Sequence, residues 1–273
     1  MRASRRWGQN FLVDPGAIRR IVEAIGPLAG RIALEIGPGR GALTEELLQR
    51  VERLVAVEVD PRLSADLRAR FTPERLVIIE ADVLTLDWAS VAAKAGVASS
   101  RPIAVIGNLP YNISKPFVMR LVQQRRRIDR AVLMLQREVV ERIVAPPGCR
   151  DYGAMGVLVG SAYRVERLFD LRPGAFRPRP KVVSTVTRWL PRSSEELPDS
   201  VEVALRACLR ASFGHRRRTL FNNLRSALDG DERTVALLLR RADLEGSLRP
   251  EAIPPEGYRR LADAWHDVTP SRP

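Results

Sequence analysis

The chain has 273 residues, 45% of them hydrophobic, and a formal net charge of +13, enough length and apolar content for one large domain and one small one. Two cysteines, Cys149 and Cys208, and two histidines, His215 and His266, match no metal-ligand spacing, which argues against a metal site and for free, reduced thiols. No apolar run reaches membrane-spanning length, and the Arg-rich start leads into Trp7-Gly8-Gln9-Asn10 without a signal-peptide core, so a cytoplasmic protein with no membrane partner is expected.

Residues 1–13 form a basic arm ending in Gln9-Asn10-Phe11-Leu12, which composition alone reads as a frayed, solvated terminus. Asp14 is placed to cap a helix that has Pro15 at its first position, and Ile18, Ile21, Val22 and Ile25 make its apolar stripe before Gly26. From residue 31 the pattern alternates. Arg31–Ile36, Leu54–Val59, Leu76–Glu80, Ile103–Ile106 and Ala131–Leu135 read as strands, separated by amphipathic segments at 42–50, 61–70, 114–124 and 137–145. Residues 146–153 read as an exposed loop bounding the active-site side, and 161–171 and 182–190 as two further strands. The reading is an α/β domain over residues 1–190, built on a doubly wound, mostly parallel sheet.

Pro191–Asp199 is an acidic, Ser-rich stretch that reads as a linker. Helical patterns near 200–213, 217–228, 231–241 and 255–266 then give a small all-α domain over 200–273, with a basic knot at Phe213-Gly214-His215-Arg216-Arg217-Arg218-Thr219-Leu220. Charge is uneven along the chain. Residues 31–100 hold 9 Lys and Arg against 11 Asp and Glu, whereas 101–190 hold 17 against 6. A basic excess of that kind implies a polyanionic partner, and nucleic acid is the natural one.

In doubly wound sheets ligands bind beyond the carboxyl ends of the strands. Glu35, Glu58, Asp82 and Asn108 all fall at or near such ends. The loop Gly37-Pro38-Gly39-Arg40-Gly41-Ala42 fits the G-x-G-x-x-A dinucleotide fingerprint, so a nicotinamide or flavin enzyme must be weighed. Glu35 argues against it. A carboxylate just before the glycines repels a pyrophosphate but attracts the ammonium or sulfonium of S-adenosylmethionine. Glu58 can accept from two ribose hydroxyls and Asp82 from the adenine amine of the same ligand.

Ile103-Ala104-Val105-Ile106 delivers Gly107-Asn108-Leu109-Pro110-Tyr111 to a strand end. That tip suits methylation of an amino group on a flat ring, whose nitrogen lone pair is delocalised and weakly nucleophilic. The Asn108 side-chain oxygen and the carbonyl of Leu109 or Pro110 can accept from the amine and draw it toward tetrahedral geometry. Tyr111 offers a face for the ring to stack on. An aromatic amine sheds its proton easily once alkylated, so no strong base is needed. The stiff basic loop Arg172–Lys181 carries Phe176 as a single apolar tip that can cover the other face of the ring, although a lone loop Phe is more often a packing staple.

Taken together, Gln9–Leu12, Glu35–Gly39, Asn108-Leu109-Pro110-Tyr111-Asn112-Ile113-Ser114, Ala175–Ser184 and Phe213–Leu224 resemble the ribosomal RNA adenine dimethyltransferase family, in its bacterial small-subunit branch. The resemblance covers nearly the full length. It implies a Rossmann-like seven-stranded methyltransferase sheet, with S-adenosylmethionine held by Asn10, Leu12, Gly37, Glu58, Asp82 and Asn108. It further implies a target adenine held by Asn108, Leu109, Pro110, Tyr111 and Phe176. The implied substrate is a pair of adjacent adenosines near the 3′ end of small-subunit ribosomal RNA, each dimethylated on N6 in a late pre-ribosomal particle, by a monomeric enzyme. Two departures, Cys149-Arg150-Asp151-Tyr152-Gly153 where relatives usually carry a less acidic stretch and Gly156 where they often have Ser, bear on loop dynamics. The alternatives are the antibiotic-resistance branch acting on large-subunit RNA, a non-catalytic assembly checkpoint, and a dehydrogenase.

Overall fold

A computed structural model describes residues 9–96, 100–193, 197–215 and 217–268. The chain opens with strand β1 (Phe11–Leu12) and helix α1 (Pro15–Ile25), whose cap is the one expected: the Asp14 carboxylate accepts from the Ala17 N–H at 3.0 Å. The alternation follows as β2 (Ile32–Ile36), α2 (Ala42–Leu47), β3 (Leu54–Glu58), α3 (Pro61–Arg70), β4 (Leu76–Glu80), α4 (Ala89–Ala95), β5 (Ile103–Asn108), α5 (Ser114–Gln123), β6 (Ile128–Gln136) and α6 (Arg137–Ile143). Then come α7 (Ala154–Ala162), β7 (Tyr163–Leu171), β8 (Phe176–Arg177) and β9 (Ser184–Pro191), and finally α8 (Asp199–Ser212), α9 (Leu220–Ala227), α10 (Glu232–Ala242) and α11 (Pro255–Val268). Among the described residues, no helix is long and apolar enough to cross a membrane.

The sheet is mixed and seven-stranded, in the order β4-β3-β2-β5-β6-β9-β7, with β4 to β6 parallel and β9 antiparallel to β6. Every residue of β2 and β3 is buried, which is why these strands read as nearly continuous apolar runs, interrupted by Glu35 and closed by Glu58, rather than alternating ones. The chain steps outward from β2 through β3 to β4, then returns to lay β5 on the other side of β2. That reversal is the topological switch point at which doubly wound sheets open a crevice. Its two lips are the ends of β2 and β5, where Ile36 pairs with Gly107. A Cβ at Gly107 would stand 2.9 Å from the Ile36 carbonyl, so only glycine allows this approach.

Two compact units emerge from the backbone. One comprises the described residues up to Val140 with Arg164–Pro191, and holds the sheet; the other comprises Glu141–Tyr163 with Arg192 onward. The helical unit therefore takes in a segment expected to belong to the α/β domain. Within it, α11 packs on α7, α8 and α10. Residues 146–153 belong to this unit: Tyr152 is buried and donates its hydroxyl to the Ile253 carbonyl at 2.8 Å, and the Gly148 N–H donates to the Glu251 carbonyl at 2.7 Å. The helix α7 between this loop and β7 was not expected. Its sequence, Ala154-Met155-Gly156-Val157-Leu158-Val159-Gly160-Ser161-Ala162, is apolar nearly all round and shows no stripe.

Gly156 is where α7 meets α6 backbone to backbone. An added Cβ would lie 2.8 Å from the Arg142 carbonyl and 3.1 Å from that of Ile143. Gly156→Ser is therefore expected to lower stability by about 1–3 kcal/mol through overpacking. A urea melt should show a lower midpoint with an unchanged slope, and an unchanged midpoint would mean that the helices separate without cost.

Candidate active site

A cavity of about 360 Å³ opens at the switch point, lined by the ends of β2, β3, β4 and β5 and by the N-terminal segment. It gathers Asn10, Leu12, Gly37, Glu58, Asp82 and Asn108, which the resemblance assigns to one ligand, together with Leu109, Pro110 and Tyr111.

The glycine loop is shaped by Gly37, Gly39 and Gly41, all with positive φ. At φ 58° Gly39 turns its N–H onto the Glu58 carboxylate, 3.1 Å from Oε2, while the other oxygen, Oε1, accepts from the N–H groups of Val59 (2.9 Å) and Asp60 (3.0 Å). Three backbone donors thus hold Glu58 in one orientation at the rim of the cavity. Oε1 thereby uses both lone pairs, and Oε2 keeps capacity for a further donor. Burial nevertheless raises the Glu58 pKa, the three N–H bonds opposing and Asp60 adding repulsion.

Glu35 lies deeper, 1% exposed, with Oε2 accepting from the Thr44 hydroxyl at 2.7 Å. Burial pushes its carboxyl up to about 8, the Thr44 bond opposing this and Glu58 reinforcing it. At neutral pH the free site therefore holds Glu35 largely protonated, which refines its reading as a simple anion. Asp82 is exposed at the end of β4, one oxygen accepting from the Leu84 N–H at 2.9 Å.

The N-terminal segment is not frayed where it is described. Phe11 and Leu12 pair antiparallel with Arg177 and Phe176, and the Val13 N–H donates to the Ala175 carbonyl at 2.8 Å. Gln9 donates to the Asp60 carboxylate at 3.2 Å. The Arg40 guanidinium stands 4.5 Å from the centre of the Phe11 ring, and that ring covers Gly39 so closely that a Cβ there would lie 3.1 Å from it. The basic residues of the arm before Gln9 lie outside the described residues, as does Arg216 of the basic knot.

Between these ties, the Asn10 carbonyl accepts from Nδ2 of Asn108 at 2.9 Å. This bond sets which way the amide faces: one of its N–H groups is tied to the chain, and the oxygen is the acceptor it offers a ligand. The Pro110 carbonyl is in the opposite condition. It already accepts from the Ile113 N–H (3.1 Å) and the Ser114 hydroxyl (3.3 Å), which uses both lone pairs. Of the two backbone acceptors open to the sequence reading, Leu109 is the available one. Tyr111 is half-buried, its hydroxyl 2.9 Å from Ser184 Oγ.

Phe176 is a correction. Expected at an exposed tip, it is 1% exposed, packs in the core with Leu12, Leu171 and Val186, and takes no part in the cavity lining. The two-residue strand β8 explains this, since neighbouring residues of a strand face opposite ways and Arg177 takes the solvent side. The staple reading of Phe176 is the one the geometry supports. Unanticipated, by contrast, were Gln9, Thr44 and Ser184, whose partners lie 51, 9 and 73 residues away. No local pattern signals such pairs.

Among the described residues, the lining offers three carboxyl groups against a single cation, Arg40. An acceptor-rich pocket of this kind suits a cationic ligand with hydroxyl and amine donors, so the residues fit S-adenosylmethionine and not a pyrophosphate. Sheet order, glycine loop and acids at successive strand ends define a Rossmann-like methyltransferase fold. The chain belongs to the ribosomal RNA adenine dimethylase family, whose model matches residues 1–246. It is 46% identical over 228 residues to the ribosomal RNA small subunit methyltransferase A of Aromatoleum aromaticum, covering 84% of this chain and 83% of that one. To the protein of the same name in Bordetella petrii it is 42% identical, covering 96% and 95%. Among solved structures it resembles a dimethyladenosine transferase from Plasmodium falciparum (TM-score 0.78, 24% identity, 94% of this chain and 98% of that one). It also resembles the 23S rRNA methyltransferase ErmE (TM-score 0.67, 26% identity, 93% and 99%).

Proposed function

We propose that this protein transfers methyl groups from S-adenosylmethionine to N6 of two adjacent adenosines near the 3′ end of small-subunit ribosomal RNA, twice on each. The target is taken as a late pre-ribosomal particle in the cytoplasm, and the enzyme as a monomer. The observation that carries this reading is the state of the Asn108 amide. With its nitrogen held by the Asn10 carbonyl, the amide of this cavity-lining residue has its oxygen left to accept from a ligand.

Asn108 Oδ1 and the Leu109 carbonyl are the two acceptors for the exocyclic amine, and they restore the lone pair that ring conjugation withdraws. Tyr111 supports the extruded base by stacking, which offsets part of the cost of leaving the RNA stack. Glu58 accepts through Oε2 from a ribose hydroxyl of the methyl donor, Asp82 from its adenine amine, and Glu35 faces its positive charge. When bound, the donor supplies an electrophilic methyl on a sulfonium. The proton leaves the alkylated amine to water, so no side chain is asked to act as a strong base.

Glu35 gives this account a pH signature. Because its pKa rises from 4.5 in the unfolded chain to about 8, this group's contribution to stability is complete below about 4.5 and is lost as pH climbs toward 8. A cationic ligand reverses the shift. Donor binding near pH 7 is expected to release up to about one proton, with affinity rising until about pH 8 and then levelling. Calorimetry in two buffers of different ionisation enthalpy measures the release. Glu35→Gln should abolish it; release unchanged in that variant would assign the proton to another group.

The substrate is tested by radiolabelled methyl transfer to isolated small and large ribosomal subunits that lack the modification. Label is expected in the small subunit only. Label confined to the large subunit would move the protein to the resistance branch, and label in neither would leave a binding role in assembly.

A further inference from the structure

Stacking discriminates only if the platform keeps its plane, yet Tyr111 sits on a turn and is only half-buried. Its ring needs a second point of attachment beyond its own backbone. The structure supplies one: Ser184 Oγ lies 2.9 Å from the Tyr111 hydroxyl. Ser184 is buried at the start of β9, opposite Gln136 of β6.

Both neighbours of Ser184 are anchored. The Val183 carbonyl accepts from the Arg137 N–H at 3.0 Å, and the Thr185 hydroxyl donates to Asp170 at 2.7 Å. Asp170 in turn takes Arg137 and Arg167, each at 2.8 Å. The hydroxyl of Ser184 is therefore a stationary point in the sheet, while its partner is on a loop. Upstream, the same segment is the exposed basic run Arg177, Arg179 and Lys181, which begins at the buried Phe176. One short stretch thus presents cations to solvent at one end and holds the aromatic platform at the other.

We propose that Ser184 is a positioning residue for the methylation reaction: through its hydrogen bond it sets the plane of the Tyr111 ring on which the target base stacks, and it ties that plane to the basic loop. The proposal rests on the reading that Tyr111 receives an adenine. Ser184 touches no reacting atom. Its removal should be felt in RNA turnover and not in binding of the methyl donor, whose pocket has no Ser184 contact.

The test is a double-mutant cycle with Ser184→Ala and Tyr111→Phe, which removes only the hydroxyl and keeps the stacking face. Each variant is measured for kcat and KM on small ribosomal subunits lacking the methyl groups, and for S-adenosylmethionine affinity. Each single change is expected to lower kcat/KM roughly three- to tenfold, as loss of one net hydrogen bond would, with donor affinity unchanged. The double variant should be no worse than Tyr111→Phe alone. Ser184→Thr, which keeps the hydroxyl, should recover most of the loss and serves if the alanine variant folds poorly. Additive losses, full activity in Ser184→Ala, or no recovery in a folded Ser184→Thr would overturn the proposal. An unmodified substrate after incubation with the unaltered protein would instead sink the functional reading beneath it.

Discussion

Asn108→Ala is expected to lower methyl transfer to ribosomal RNA by about 10²- to 10³-fold, the range seen when one preorganised hydrogen-bonding group aimed at a transition state is removed. Methyl-donor affinity should fall only a few-fold, because the carboxyl groups of Glu35, Glu58 and Asp82 remain in the cavity. The asymmetry follows from geometry. Asn108 stands at the last position of β5, its Nδ2 tied to the Asn10 carbonyl and its oxygen left as the acceptor for the amine. Alanine removes the acceptor and leaves the Asn10 carbonyl without its donor, but takes nothing from the carboxyl groups at the neighbouring strand ends. Single-turnover rates at saturating donor, set beside donor affinity by calorimetry, separate the two effects. Turnover at the level of the unaltered protein would remove Asn108 from the chemistry.

The second large effect belongs to Glu58→Ala, and it should appear in stability and in donor affinity together. Three backbone N–H groups, those of Gly39, Val59 and Asp60, depend on this one carboxylate. Deleting it orphans all three, at roughly 1–3 kcal/mol for each donor that water cannot reach. Since the cavity is open, we expect a net loss of about 2–3 kcal/mol in unfolding free energy, after allowing for donors that water satisfies. Donor affinity should fall by up to about 10²-fold, the worth of a hydrogen bond from a hydroxyl to a charged acceptor. Glu58→Gln should fall between, because its amide offers one acceptor oxygen in place of two. Denaturant melts and donor titrations on both variants check the order. Unchanged stability in Glu58→Ala would show that the orphaned donors carry no cost.

Much of the sheet was legible because its signals are local. Asp14 followed by Pro15, the apolar runs of β2 to β5 and the glycines before α2 each carry their meaning within a few residues. The cavity was legible for the same reason, since acids at the ends of successive parallel strands converge by topology alone. What escaped reading was long-range or featureless. α4, Ala89-Ser90-Val91-Ala92-Ala93-Lys94-Ala95, is short and weakly striped, and α7 is apolar nearly all round. Assignment of residues 141–163 to the helical unit depends on packing against helices more than thirty residues downstream. Phe176 sat in a loop by composition, yet pairing with the N-terminal strand turned it into the core. The saturation of the Pro110 carbonyl, which leaves the Leu109 carbonyl as the backbone acceptor, is a matter of hydrogen bonds that only the folded turn reveals.

The most direct test of the central claim is chemical. Purified protein would be incubated with S-adenosylmethionine and small ribosomal subunits lacking these methyl groups, and the RNA digested and analysed by mass spectrometry. Two adjacent N6,N6-dimethyladenosines near the 3′ end are the predicted product. Unmodified adenosines there, with the protein folded and binding its methyl donor, would contradict it.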